Sequence, residues 1–170
     1  MKPILLLAAL AATAVPAHAQ PAAPLATVAP AEDLVTVALD TAKGRIVIAL
    51  DRGRAPLTTA NFLKYVDGKK LDGEVFYRAM NVDGTRLIQG GIQSDARKQL
   101  PPVAHEPTTK TGIKHVAGTI SMANAGAGTA RSDFFIMLGD TPGFDADGYG
   151  SDGTGFAAFG RVVEGMDVVK

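Results

Sequence analysis

The sequence predicts a mainly β fold, an antiparallel barrel that is closed or nearly closed and has few helices. Three observations favour this class: short apolar segments recur along the chain, glycine-rich turns separate them, and only two segments have helical spacing. All 19 glycines lie between Gly44 and Gly165. The chain of 170 residues is long enough for one domain with a core of its own.

The first two strands are predicted to form a hairpin. Val35, Val37 and Leu39 alternate with smaller or more polar residues, which is the period of a strand with one buried face. A turn at 42–44 leads into a second apolar run at 46–50. Two apolar runs joined by so short a turn are typical of an antiparallel pair.

A helix is predicted after this hairpin, and the remaining strands follow it. The helix begins at Pro56, because the fixed φ of proline suits the first helical turn, and ends at Gly68. A second helical pattern begins at Glu164. Short apolar segments between the two helices predict strands at 75–79, 86–89, 118–122, 134–138 and 156–163.

Residues 1–19 have the features of a secretory signal peptide. Lys2 gives the start a positive charge, and the apolar run at 4–15 is shorter than the roughly 20 residues that span a bilayer. Cleavage is expected after Ala19, with export to the bacterial periplasm. A flexible Pro/Ala-rich tether is expected at 20–33, and the folded domain at 34–170.

Charge and cysteine content exclude several classes of protein. Lys plus Arg equals Asp plus Glu at 17 each, which argues against a nucleic-acid binder and a polybasic membrane binder. The absence of cysteine excludes a disulfide scaffold, a thiolate nucleophile and a cysteine-ligated zinc site. The acidic loop from Asp145 to Asp152 lacks the spacing of an EF-hand, and His105 and His115 have no obvious third ligand. We therefore expect no metal and no cofactor.

Five motifs occur in an order that is specific when they are taken together. They are Phe76-Tyr77-Arg78, Leu87-Ile88-Gln89-Gly90-Gly91, Ser121-Met122-Ala123-Asn124-Ala125-Gly126, Ser132-Asp133-Phe134-Phe135-Ile136, and Phe159-Gly160-Arg161-Val162 with Gly165-Met166-Asp167. The pattern over 34–170 resembles the cyclophilin-type peptidyl-prolyl cis-trans isomerases, of the bacterial secreted kind. The resemblance implies an eight-stranded antiparallel barrel with capping helices. The last of these strands has no counterpart here, so the domain is expected to be incomplete at its C-terminus and to keep an open edge at 35–41.

The implied reaction requires little of a protein. An X-Pro bond rotates over a barrier of roughly 18–20 kcal/mol, and the prolyl nitrogen regains its lone pair in the twisted transition state. No bond between heavy atoms breaks. A catalyst therefore needs a donor near that nitrogen, an apolar site for the ring, and anchors for the flanking backbone.

Arg78 is the expected catalytic donor. The resemblance implies that the arginine of the Phe-x-Arg motif lies beside the prolyl ring, and its guanidinium is always charged and presents several donors in a rigid fork. The alternative is a surface arginine whose aliphatic stem covers an aromatic side chain.

Substrate-binding roles are expected for two amides and two small residues. Gln89 and Asn124 are polar residues within apolar runs, and the resemblance implies that they hold substrate backbone. The alternative is a turn amide that bonds the local backbone. Ala123 and Ala125 suit the wall of a groove, because a larger side chain there would exclude a peptide.

The expected proline pocket is lined by Leu87, Phe135 and Phe144, which match pocket positions of the family. Ordinary core packing is the alternative, and it is the prediction for Phe134, which faces the other side of its strand. Phe156 is also included among the substrate-binding residues, at a position where many members carry a histidine.

Two departures from the family pattern affect the expected substrate preference. Asp133 occupies the position of a usual glutamine, so a substrate contact there becomes acidic and can only accept hydrogen bonds. Arg86 occupies a pocket position that is usually aromatic, after a connection at 80–85 that is longer than the common one. A pair between Arg86 and Asp133 is one expectation.

The resemblance implies an isomerase that accelerates rotation of X-Pro bonds in extended or unfolded polypeptides and assists folding in the periplasm. It is expected to be a monomer without nucleic-acid partners and without a membrane association after cleavage. The alternative is a non-catalytic module, a proline-peptide binder or chaperone that uses the same groove. Arg78 distinguishes the two, because only the enzyme needs it for rate.

Overall fold

The computed structural model describes residues 31–93, 95–148 and 152–170. The predicted signal peptide at 1–19 and residues 20–30 of the predicted tether lie outside the described residues. The last residues before the predicted domain make ion pairs with it. Asp33 bonds Arg52 at 2.8 Å and Glu32 bonds Arg54 at 2.7 Å.

In the described residues, seven antiparallel strands and three short or medium α-helices make up the fold. They are β1 Leu34–Thr41, β2 Gly44–Asp51, α1 Pro56–Asp67, β3 Val75–Val82, β4 Thr85–Gly91, α2 Thr108–Thr111, β5 Thr119–Met122, β6 Phe134–Met137, β7 Ala157–Glu164 and α3 Met166–Val169. The strands form one sheet in the order β1-β2-β7-β5-β6-β4-β3. The predicted class, mainly β and antiparallel, is confirmed.

The hairpin of β1 and β2 follows from its apolar alternation. The strands pair over their full length, from Leu34 opposite Asp51 to Thr41 opposite Gly44. Val37 lies opposite Ile48, and both are buried. Cross-strand apolar pairs on one face stabilise such a hairpin and fix its register.

Helix α1 begins at Pro56 and is followed by Gly68 at its C-cap, as the sequence predicts. Its first turn has no side-chain cap of its own. Instead, the buried carboxylate of Glu106 accepts hydrogen bonds from the backbone N–H (2.8 Å) and the hydroxyl (2.7 Å) of Thr58. A negative charge at this end also complements the helix dipole. The helix buries Phe62 and Tyr65 against the sheet.

The sheet has an apolar cluster on each of its two faces. The inner core contains Phe62, Phe134 and Phe159, with ring centroids 5.3 Å apart in both Phe62 pairs. A second group, here called the outer cluster, consists of buried Leu87, Phe135 and Met137 with partly buried Met80, Ala123, Phe144 and Phe156. Alternation along β6 separates Phe134 from Phe135, as predicted.

Strands β1 and β3 are the two edges of the sheet, and in the described part of the chain each pairs with one neighbour. The edges face each other across a cavity of about 350 Å³ lined by residues of both strands, including Val37, Leu39 and Phe76. In the part of the chain that the structure describes, β1 is thus an edge strand, at the position where an open edge at 35–41 was expected.

The connection expected at 80–85 is wrong. Strand β3 continues to Val82, and a two-residue turn at Asp83 and Gly84 joins it to β4. Both turn residues have positive φ, 49° and 79°, as a tight antiparallel hairpin requires.

Within the described ranges, no helix has the length and apolar character needed to cross a bilayer.

Candidate active site

A β-bulge at Tyr77 determines which face of the sheet Arg78 occupies. Phe76 pairs with Gly90 and Arg78 pairs with Gln89, so Tyr77 is an extra residue in β3. Without a bulge, Phe76 and Arg78 would share a face, because side chains alternate along a strand. The extra residue leaves Phe76 in the inner core and turns Arg78 to the outer face.

On the outer face, a row of side chains that we call the polar row consists of Arg78, Gln89, Tyr77 and Asp133. Arg78 Nη1 donates to Gln89 Oε1 at 3.2 Å, and Gln89 Nε2 donates to the Tyr77 hydroxyl at 2.7 Å. The hydroxyl donates to Asp133 Oδ2 at 2.7 Å. Burial, followed by the bond to Asp133, raises the pKa of Tyr77 to about 12, so this hydroxyl keeps its proton at neutral pH.

The outer cluster lies beside the polar row. Arg78 Nη2 contacts Met80 Sδ at 3.1 Å, and Met80 packs in the cluster. Gln89 pairs with Phe135 across β4 and β6, which places the amide next to the ring. The exposed guanidinium therefore lies at the rim of an apolar group of side chains.

Three phenylalanines of the outer cluster pack closely together. Phe135 is 5.6 Å from Phe144 and 5.3 Å from Phe156 between ring centroids, and Phe144 is 4.8 Å from Phe156. Phe144 lies on a 3₁₀ turn at Pro142–Phe144, and its carbonyl accepts from the Phe156 N–H at 2.9 Å. The structure thus brings together the predicted residues Leu87, Ala123, Phe135, Phe144 and Phe156.

The loop after β5 presents backbone and side-chain groups near this cluster. Ala123 N–H donates to the Asp133 carbonyl, and Ala125 N–H donates to Thr129 Oγ1. Asn124 Oδ1 accepts from the Gly126 N–H at 3.1 Å, which agrees with the turn-amide alternative. Asn124 Nδ2, however, is buried and has no hydrogen-bond partner among the described residues. A donor of this kind suits a substrate carbonyl.

Comparisons with known proteins agree with this geometry. The profile of the family described as "Cyclophilin type peptidyl-prolyl cis-trans isomerase/CLD" matches residues 35–170. The chain belongs to the cyclophilin family. Its members are the proline rotamases, and this cyclophilin is accordingly a peptidyl-prolyl cis-trans isomerase.

Two curated bacterial relatives cover the same region. The cyclophilin is 37% identical to peptidyl-prolyl cis-trans isomerase A of Dickeya dadantii over 135 residues, which are 78% of this chain and 67% of the relative. It is 36% identical to peptidyl-prolyl cis-trans isomerase cyp18 of Streptomyces antibioticus over 138 residues, 79% of this chain and 80% of the relative.

The fold also matches solved structures. A cyclophilin-type isomerase of Cryptosporidium parvum has a TM-score of 0.63 at 22% identity, covering 80% of this chain and 82% of that chain. Another structure of that parasite's isomerase, determined in the presence of the dipeptide Ala-Pro, has a TM-score of 0.62 at 22% identity and covers 79% of this chain and 82% of that chain.

The two residues that depart from the family pattern do not pair in this cyclophilin. Asp133 Oδ1 accepts from the Gln93 N–H at 2.9 Å and from the Ser132 hydroxyl at 3.0 Å, while Oδ2 accepts from the Tyr77 hydroxyl. Both oxygens are therefore used by protein donors. Arg86 lies beside Gly139, which follows β6, whereas Asp133 precedes β6 and packs on Gly91 at the far end of β4, so the expected pair is wrong.

Sequence reasoning missed a buried polar group beneath the outer cluster. His115 Nδ1 lies 2.7 Å from Asp145 Oδ1, and Nε2 lies 2.9 Å from Ser121 Oγ. Burial lowers the pKa of His115, although the bond to Asp145 acts in the opposite direction. Ser121 is fully buried, so this arrangement supports the ring of Phe135, 6.1 Å away, and offers no accessible nucleophile. Ser121 lies opposite Phe135 in the neighbouring strand, a pairing between distant segments that no local sequence pattern specifies.

The described aspartates of the acidic loop at 145–152 make hydrogen bonds within the protein. Asp145 bonds His115, and Asp152 accepts hydrogen bonds from Thr154 and Gly155, which lower the pKa of Asp152 to about 2. Over 31–93, 95–148 and 152–170, no three His, Cys, Asp or Glu side chains are arranged to hold a metal ion.

Proposed function

We propose that this cyclophilin isomerises X-Pro bonds in extended or unfolded client polypeptides, with Arg78 as the catalytic donor and the outer cluster as the proline site. The observation that carries the proposal is the position of the guanidinium at the rim of that cluster, where it contacts Met80 and donates to the Gln89 amide. The Cryptosporidium parvum structure determined in the presence of the dipeptide Ala-Pro supports a proline-containing ligand for this fold.

The reaction follows from these groups. The proline ring packs against Phe135 and its neighbours, while Gln89 and the loop at 123–125 hold the flanking backbone. As the peptide bond twists, conjugation is lost and the prolyl nitrogen becomes a hydrogen-bond acceptor. A donor fixed at this position stabilises the twisted state more than the planar one, which lowers the barrier.

Replacement of Arg78 tests this assignment. Arg78→Ala should lower turnover of a short Xaa-Pro peptide by about tenfold or more, the scale of removing one transition-state donor. Arg97→Ala is a matched control, because Arg97 is also exposed but bonds Asp95 in its own loop. Binding of a proline peptide, measured by calorimetry, should weaken much less than turnover. Parent-like turnover in Arg78→Ala would contradict the role of Arg78.

We also propose that the cyclophilin is exported to the periplasm and assists folding there as a monomer. The proposal is supported by the charged start, the short apolar run and the small residues at 17–19. Expression of the full chain in a Gram-negative bacterium should give a periplasmic product that begins at Gln20. An uncleaved product that stays in the cytoplasm would overturn the proposed export. Light scattering on the purified product gives its molar mass and so tests whether it is a monomer.

A further inference from the structure

The two ends of the polar row determine the direction of every hydrogen bond in it. At one end the Arg78 guanidinium can only donate, and at the other the Asp133 carboxylate can only accept. Between them lie an amide, Gln89, and a hydroxyl, Tyr77, each of which could point either way in isolation. Only one arrangement satisfies all four groups.

That arrangement starts from Asp133. The Tyr77 hydroxyl donates to Asp133 Oδ2 at 2.7 Å, so the hydroxyl oxygen is left to accept. It accepts from Gln89 Nε2 at 2.7 Å, and the amide oxygen of Gln89 therefore faces Arg78, 3.2 Å from Nη1. The raised pKa of Tyr77, about 12, keeps the donating proton in place across the physiological range.

We propose that Tyr77 and Asp133 are positioning residues of this isomerase, which hold the Gln89 amide with its oxygen toward Arg78 and thereby aim the guanidinium. This inference rests on the catalytic role proposed for Arg78. This positioning matters because Arg78 has a long and exposed side chain. A donor contributes most when it does not have to reorganise in the transition state.

Asp133 is itself held firmly. Its Oδ1 accepts from the Gln93 N–H at 2.9 Å and from Ser132 Oγ at 3.0 Å, which leaves Oδ2 for Tyr77. A Cβ on Gly91 would lie 2.5 Å from Oδ1, so the carboxylate packs directly on the backbone of β4. The acceptor at the end of the row is thus fixed by the fold.

Two conservative substitutions test the inference. Tyr77→Phe removes the hydroxyl that links Gln89 to Asp133. Asp133→Asn can place an NH₂ donor against the hydroxyl, whose proton must then turn toward Gln89 and favour the flipped amide. Each should lower kcat by about threefold to tenfold, because the guanidinium is then no longer aimed at the prolyl nitrogen.

The decisive measurement repeats both substitutions in a Gln89→Ala background. If they act through the amide, each should change kcat by less than about twofold once the amide is gone. Tyr65→Phe is the matched control, since the Tyr65 hydroxyl accepts from the Leu100 N–H at 2.8 Å outside the polar row. It should lower thermal stability and leave kcat unchanged.

Equal losses of kcat with and without Gln89 would overturn the inference and leave Tyr77 and Asp133 as supports of the fold. Parent-like turnover in Arg78→Ala would instead contradict the proposed donor itself, so the two failures are distinguishable. If Asp133→Asn does not fold, Tyr77→Phe carries the test, because it leaves the bonds of Asp133 to Gln93 and Ser132 intact. In Tyr77→Phe, the side-chain amide resonances of Gln89 should also shift; unchanged resonances would count against the inference.

Discussion

The stability of this cyclophilin should fall between about pH 7.5 and pH 5.5, because burial lowers the pKa of His115 in the fold. The ring is 1% exposed, and burial lowers its pKa from the ordinary 6.5. The unfolded chain exposes the ring, which takes a proton near pH 6.5. Below that pH the unfolded state binds a proton that the folded state does not, so stability is lost as the pH falls.

The size of the loss follows from the same numbers. As long as the folded ring stays neutral, lowering the pH from about 7.5 to about 5.5 raises the equilibrium constant for unfolding about tenfold. This corresponds to a loss of about 1.4 kcal/mol. The bond to Asp145 partly opposes burial, so about 1.4 kcal/mol is the upper limit from this one group.

Urea unfolding at the two pH values measures the loss directly. His115→Gln should show a smaller difference between them, whereas His105→Gln should keep the parent's difference because its ring lies at the surface beside Thr154. Nuclear magnetic resonance of the parent gives a second measurement that needs no variant. A His115 ring that titrates with a midpoint near 6.5, or a parent difference below about 0.3 kcal/mol, would refute the reasoning.

Two further substitutions test the packing around the sheet. Gly160→Ala should destabilise the fold by about 1–3 kcal/mol in urea unfolding, because its Cβ would lie 2.4 Å from the carbonyl oxygen of Ala49 on the neighbouring strand. Wild-type stability would contradict this close approach. Glu106→Gln should cost about 1–3 kcal/mol, since one amide oxygen replaces two carboxylate oxygens that accept from the first turn of α1. Turnover at a temperature where the variant stays folded should be unchanged; a loss of turnover there would contradict a purely structural role.

Local patterns predicted the elements whose structure depends on neighbouring residues. The alternation at Val35, Val37 and Leu39 gave β1, and Pro56 with Gly68 bounded α1, because each signal lies within the element itself. The separation of Phe134 from Phe135 needed only strand geometry. The outer cluster was predicted in part through the resemblance, which supplied positions that are distant along the chain.

Features that depend on pairing between distant segments were not predictable in this way. The bulge at Tyr77 results from the cross-strand pairing of Arg78 with Gln89. No local pattern in the sequence of β3 specifies that register. Residues 80–82 form strand because they pair with the start of β4, although their sequence alone resembled a connection. The buried ring of His115 is hydrogen-bonded to Asp145, thirty positions further along the chain.

Arg78 lies on β3, which is an edge strand of the described sheet. In the described part of the chain β3 has one neighbour, β4, whereas the residues of the outer cluster on β4 and β6 belong to strands paired on both sides. Opening of the sheet begins most easily at such an edge, so amide hydrogens of β3 should exchange with solvent faster than those of β6. The proposed donor Arg78 therefore lies on a strand that opens more easily than the strands that carry Leu87 and Phe135 of the outer cluster.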